Sequence, residues 1–163
     1  MPREPLKGPV TLMQIRYAMT SPPASVPPAA SLEDAARHMA AAGVGALPVV
    51  DGDEVIGMVT DRDLVVRAMA YGLSSHSKVE MVMSTDPVTV DASTPLTAAL
   101  HAMRSIEARH LPVVAKGRLV GMVSFDDLFW YLSRQLADLA AIVDASRKAP
   151  RPLHESTRTP SGD

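Results

Sequence analysis

Residues 18–64 align with residues 82–128 without a gap, at a constant offset of 64. Of the 47 aligned positions 15 are identical. They include Met19/Met83, Pro23/Pro87, Val26/Val90, Leu32/Leu96 and Met39/Met103, the run Leu47-Pro48-Val49-Val50 with Leu111-Pro112-Val113-Val114, Gly57-Met58-Val59 with Gly121-Met122-Val123, and Asp63-Leu64 with Asp127-Leu128. A match this long, with shared glycine and prolines, marks one structural unit written twice. A copy of about fifty residues is marginal as a free-standing core, so the two are expected to pack on one another through their sheets with pseudo-two-fold symmetry.

Each copy reads β-α-β-β-α. A short strand is expected near 24–26 and 88–90. In the first helix Leu32, Ala35, Ala36 and Met39, and in the second copy Leu96, Ala99, Leu100 and Met103, recur at i, i+3, i+4, i+7. Ser31-x-x-Asp34 is a capping-box pattern, and Thr94-Pro95 places proline at the start of the equivalent helix. Two apolar runs around a polar turn at 51–54 and at 115–118 predict a hairpin in each copy. A last helix is predicted over 61–71 and over 125–141. The fold class is therefore α/β of the α+β kind. The segments are a first repeat over 10–76 and a second over 77–143, between ends 1–9 and 144–163 that are expected to be disordered.

Composition removes several functions. There is no cysteine, hence no thiolate metal site and no Cys nucleophile. The five histidines form no ligand-spaced pair, so no metal site is expected. Three basic residues against one acid in the first 17, and four against two after 144, leave −6 for residues 18–144 out of a total of −2. An acidic middle speaks against a nucleic-acid groove. No apolar run is long enough to span a bilayer, and the start MPREPLKGPV has no signal-like apolar region, so a cytoplasmic protein is expected. No P-loop, dinucleotide fingerprint or catalytic triad is present, and no catalytic residue is assigned.

The phrase Gly57-Met-Val-Thr60-Asp-Arg-Asp63 recurs as Gly121-Met-Val-Ser124-Phe-Asp-Asp127. Each is G-h-h-[ST]-x-x-D at a strand-to-helix junction. One reading is a helix cap, hydroxyl on a free N–H and acid in the first turn. The other is a nucleotide site. There a hydroxyl and free N–H groups face phosphate, the aspartate one turn on accepts from ribose, and the glycine lets a ligand approach the strand.

Met19-Thr20, the Leu-Pro-Val-Val runs and the doubled motif together resemble a tandem pair of CBS domains (cystathionine β-synthase domains, a Bateman module), over residues 10–141. The resemblance implies a non-enzymatic sensor, with no required cofactor, that binds AMP, ADP, ATP or S-adenosylmethionine between the repeats. It gives Asp63 and Asp127 the ribose, and Thr60 and Ser124 the phosphate, with the basic Arg62, Arg109 and His110 in support. Val26, Val90, Ala46, Leu47 and Leu111 would line adenine. Because Arg109 and His110 belong to the second copy, the second motif is expected to hold phosphate better. Clustered Phe129, Trp130 and Tyr131 on the last helix, and the family's habit of pairing through these helices, imply a homodimer that signals to an unidentified effector protein. The other reading is a structural or protein-interaction module whose cleft is vestigial.

Overall fold

The computed structural model describes residues 13–148. In chain order its elements are α1 (Leu32–Ala42), β1 (Ala46–Asp51), β2 (Glu54–Thr60), α2 (Asp61–Asp63), β3 (Ser84–Thr85), β4 (Val90–Asp91), α3 (Leu96–Ser105), β5 (His110–Ala115), β6 (Arg118–Ser124) and α4 (Phe125–Lys148). The helix α1 starts where the capping pattern places it: Ser31 Oγ accepts from Asp34 N at 3.0 Å and donates to Asp34 Oδ2 at 2.7 Å. Gly43, in the left-handed region at φ 66°, ends it. Its buried side chains are Leu32, Ala35 and Met39, and those of α3 are Leu96, Ala99 and Met103, as the periodicity predicts.

Both hairpins form with the same register. Ala46 faces Thr60 and His110 faces Ser124, and a bulge follows Val49 in one and Val113 in the other. Strand alternation sends Leu47, Val49 and Val59, and likewise Leu111, Val113 and Val123, into the interior, all fully buried. The helix expected over 61–71 forms irregularly. After Asp63 it passes through π turns at Leu64–Ala68 and closes in a 3-10 turn at Met69–Tyr71.

The repeats are joined by a reciprocal exchange. Strand β3, which the offset assigns to the second copy, adds to the first copy's sheet, Gly57 facing Thr85 and Met58 facing Ser84. Thr20, the counterpart of Ser84, pairs with Met122 in the second sheet: Thr20 N donates to Met122 O at 2.8 Å and Met122 N to Thr20 O at 3.0 Å. Packing follows the same rule. Val79 and Val82 lie in the core of the first copy with Val26, Leu32 and Leu47. Ile15 is fully buried and donates its N–H to Thr94 O in the second copy. The cut between 76 and 77 read from the repeat is therefore a cut in sequence, and the packing crosses it.

Two expectations need correction, and one strand is new. The strands near 24–26 and 88–90 shrink to a single bridge from Val26 to Val49 and to the two-residue β4, parallel to β5. Strand β3 is unforeseen. Helix α4 runs to Lys148 rather than 141, so residues 144–148, read as part of a disordered tail, are helical. Ala137, Ala140, Ala141 and Ala145 explain this: alanine favours helix without needing anything to bury. The disorder expected at 1–9 and 149–163 lies outside the described residues. Along α4 beyond Phe129, Arg134 sits over the Trp130 ring at 4.9 Å, and Leu136, Leu139, Ile142 and Val143 are exposed.

Candidate functional site

The two motifs fold identically. Thr60 N and Thr60 Oγ1 donate to Asp63 Oδ2 at 2.9 and 2.8 Å, and Asp63 N donates back to Thr60 Oγ1 at 3.1 Å. Ser124 N and Oγ donate to Asp127 Oδ2 at 3.0 and 2.5 Å, and Asp127 N to Ser124 Oγ at 3.0 Å. These are complete capping boxes. Each hydroxyl has one proton, and here it is committed to the carboxylate, so neither hydroxyl has a second to give to a phosphate. A phosphate beside either motif would have to draw on another donor.

The motif glycines make room for the exchange. A Cβ at Gly57 would lie 2.7 Å from Met83 Sδ and 2.8 Å from Ser84 O. One at Gly121 would lie 2.5 Å from Met19 Sδ and 3.1 Å from Thr20 O. The exchanged segments cross where a side chain would stand.

Two clefts flank the exchanged strands. One, of about 440 Å³, is lined by Ser124, Asp126, Asp127 and Met122 of the second copy and by Thr20, Pro23 and the turn Ala42–Ala46 of the first. The other, of about 460 Å³, is lined by Met58 and Thr60 of the first copy and by Ser84–Val88 and Ile106–His110 of the second. The linings are largely repeat-equivalents, and each cleft joins the motif of one copy to the helix-to-strand turn of the other.

This rule redistributes the residues singled out in the sequence. Arg109 lines the Thr60 cleft, not that of its own copy's motif, and it pairs with Asp126 at 2.9 Å and covers the Phe125 ring at 5.7 Å. His110 lines both clefts. Burial, then the Arg109 charge, holds its pKa below the ordinary 6.5 against the pull of Asp126, Asp127 and Asp61. Asp127 and Ser124 line the first cleft and Thr60 the second. Asp63 lines neither: its Oδ1 is 3.3 Å from Arg67 Nε, and its side chain is 13% exposed. Arg62 is exposed and outside both. Of the proposed adenine wall, Ala46 lines the Ser124 cleft, while Val90 lines neither cleft, and Val26, Leu47 and Leu111 are buried, the first two in the first copy's core. Alternation puts Leu47 and Leu111 on the opposite sheet face from Ala46 and His110.

Arg67 was missed. Besides Asp63 it donates to Val82 O at 3.0 Å and Ser84 Oγ at 3.3 Å, tying the first motif to the exchanged strand. The i,i+4 spacing of Asp63 and Arg67 was the available signal. The repeat places Tyr131 at the equivalent position, where no guanidinium can be supplied.

A family model for the CBS domain matches residues 14–69 and 79–134. The chain belongs to the CBS-domain family. It is 36% identical over 117 residues to the CBS domain-containing protein YhcV of Bacillus subtilis, covering 72% of this chain and 84% of that one. It is 35% identical over 104 residues to Hypoxic response protein 1 of Mycobacterium tuberculosis, 63% and 73% of the two chains. A crystal structure of Hypoxic Response Protein I with two coordinated zinc ions superposes with a TM-score of 0.66 at 31% identity over 71% of this chain and 96% of that one. The structure of CBSX2 in complex with AMP superposes with a TM-score of 0.64 at 26% identity, over 74% and 96%. Among the described residues of this CBS pair no three His, Asp or Glu side chains group as metal ligands, and no helix is long and apolar enough to cross a membrane.

Proposed function

We propose that this CBS pair is a non-enzymatic, cytoplasmic regulatory module that binds an adenosine ligand in its clefts. The observation that supports it best is the pair of equivalent clefts, each large enough for a nucleoside and each edged by a G-h-h-[ST]-x-x-D motif, on a fold shared with an AMP-bound relative. Asp127 takes the ribose: Ser124 occupies only its Oδ2, and the residue lines a cleft. Asp63 is instead structural, its Oδ2 held by Thr60 and its Oδ1 by Arg67. Calorimetric titration with AMP, ADP, ATP and S-adenosylmethionine tests the reading. A ligand at 100 times its dissociation constant should also add about 2.7 kcal/mol of stability. No heat and no stabilisation with any of the four would leave the second reading, an interaction module with a vestigial cleft, which the saturated Asp63 favours.

We propose also that the module pairs with a second copy and passes its state to an effector protein. On α4 Trp130, Leu136 and Leu139 are exposed apolar groups that pairing would cover. Light scattering giving a monomer at micromolar concentration would refute the pairing.

A further inference from the structure

The residues lining the two clefts differ most where Gly45-Ala46 of one corresponds to Arg109-His110 of the other. Among the described residues Arg109 is the one arginine or lysine lining either cleft, and burial and the neighbouring guanidinium disfavour a charge on His110 beside it. The Thr60 cleft also carries the exposed carboxylates of Asp86 and Glu107, so an anionic ligand there depends on Arg109 to offset them. The Ser124 cleft carries Asp126 and Asp127 with Gly45 and Ala46 opposite. The two are linked, because Arg109, of the Thr60 cleft, holds Asp126, of the Ser124 cleft, at 2.9 Å. That pair is exposed on both sides, 67% and 77%, and such pairs hold weakly, so a phosphate can draw the guanidinium away.

We propose that Arg109 is the specificity-determining residue of the module: it directs a phosphate-bearing adenosine ligand to the Thr60 cleft, and by leaving Asp126 to do so makes the Ser124 cleft selective for uncharged or cationic adenosine ligands. The proposal rests on the adenosine-ligand reading above. The physical basis is that the hydroxyls of Thr60 and Ser124 are committed to their aspartates, so the phosphate donor must be a separate group. Once Arg109 turns to phosphate, Asp126 and Asp127 face the Ser124 cleft without a fixed countercharge and repel a second anion. By linkage, a ligand filling the Ser124 cleft and holding Asp126 away alters affinity in the Thr60 cleft by the same factor.

Methyl-resolved NMR titrations of the full chain separate the clefts. Val88 and Ile106 report on the Thr60 cleft, and Val44 and Met122 on the Ser124 cleft. With AMP, the Val88 and Ile106 signals should saturate at concentrations at least about 10-fold below those of Val44 and Met122, the effect of one charge-assisted contact. With uncharged adenosine that order should vanish or reverse. Arg109→Gly should abolish the AMP preference of the Val88 and Ile106 signals. Asp126→Asn, which keeps Arg109 but releases it from its partner, should tighten AMP several-fold at the Ser124 cleft and should not weaken it at the Thr60 cleft. Equal AMP ordering in wild type and Arg109→Gly would overturn the inference while leaving adenosine binding in place. Failure of both AMP and adenosine to move either set of signals would overturn the inference together with the reading beneath it.

Discussion

Asp63 and Asp127 stand at the same place in the same motif, and their hydrogen bonds to Thr60 and Ser124 are nearly superimposable. Their surroundings are not. Asp63 is closed in by Arg67, which also fastens strand β3, and it lines no cleft; Asp127 has no arginine one turn on and lines the cleft beside Ala46. The cation that would complement a phosphate has gone the other way, Arg109 lying on the Thr60 side. On the proposed reading the two clefts differ in what they offer, the Asp127 carboxylate to a ribose in one and the Arg109 guanidinium to a phosphate in the other. The lesson is that the two copies share backbone and cap, while the residue one turn on, Arg67 in one and Tyr131 in the other, sets what surrounds each aspartate.

The strongest test of the shared frame is the exchange itself. Alanine at either motif glycine must push the exchanged strand aside, and overpacking of this kind costs about 1–3 kcal/mol. Gly57→Ala should be the worse, because its Cβ meets the Ser84 backbone carbonyl at 2.8 Å, whereas at Gly121 the carbonyl of Thr20 is 3.1 Å away. Urea denaturation of the two variants measures the order.

Next comes the contrast between the aspartates. Both alanine variants lose a cap, worth about 1 kcal/mol. Asp63→Ala also frees Arg67 from its anchor on the part-buried carboxylate, so it should be the more destabilised of the two in melts without ligand. Equal losses would mean that Arg67 contributes nothing.

His110 sharpens the comparison through pH. Its folded pKa lies below its unfolded value near 6.5, because burial and Arg109 oppose protonation. The unfolded chain therefore holds more proton between the two values, and the contribution of His110 is complete above pH 6.5 and lost as pH falls through the folded pKa. Denaturation at pH 7.5 and 5.5 should show a fall in stability that His110→Gln reduces.

The smallest effect is at Glu107, which holds φ 53° where its repeat counterpart Gly43 holds 66°. Glutamate in the left-handed region carries a strain that glycine relieves, and Glu107→Gly should raise stability by up to about 1 kcal/mol in the same denaturation assay.

Much of this was legible in the sequence. The offset of 64 gave the two-fold organisation, alternation and helical spacing gave the hairpins and buried faces, and Thr60-x-x-Asp63 announced its cap. The exchange was not legible, because Thr20 and Ser84–Thr85 are too short to display a period and their partners are some 30–100 residues distant in sequence. That one omission explains the main misplacement. Arg109 was read with the motif of its own copy, whereas the exchange sets each motif against the opposite copy's turn. Leu47 and Leu111 were given to the adenine wall by the resemblance, although the period of two already pointed them inward.

Calorimetric titration of adenosine into wild type, Asp63→Ala and Asp127→Ala bears most directly on the division of labour between the copies. The account predicts heat in wild type, retained in folded Asp63→Ala and weakened at least about 10-fold in Asp127→Ala, through loss of the ribose contacts. Equal weakening in both variants, or no heat in wild type, would contradict it.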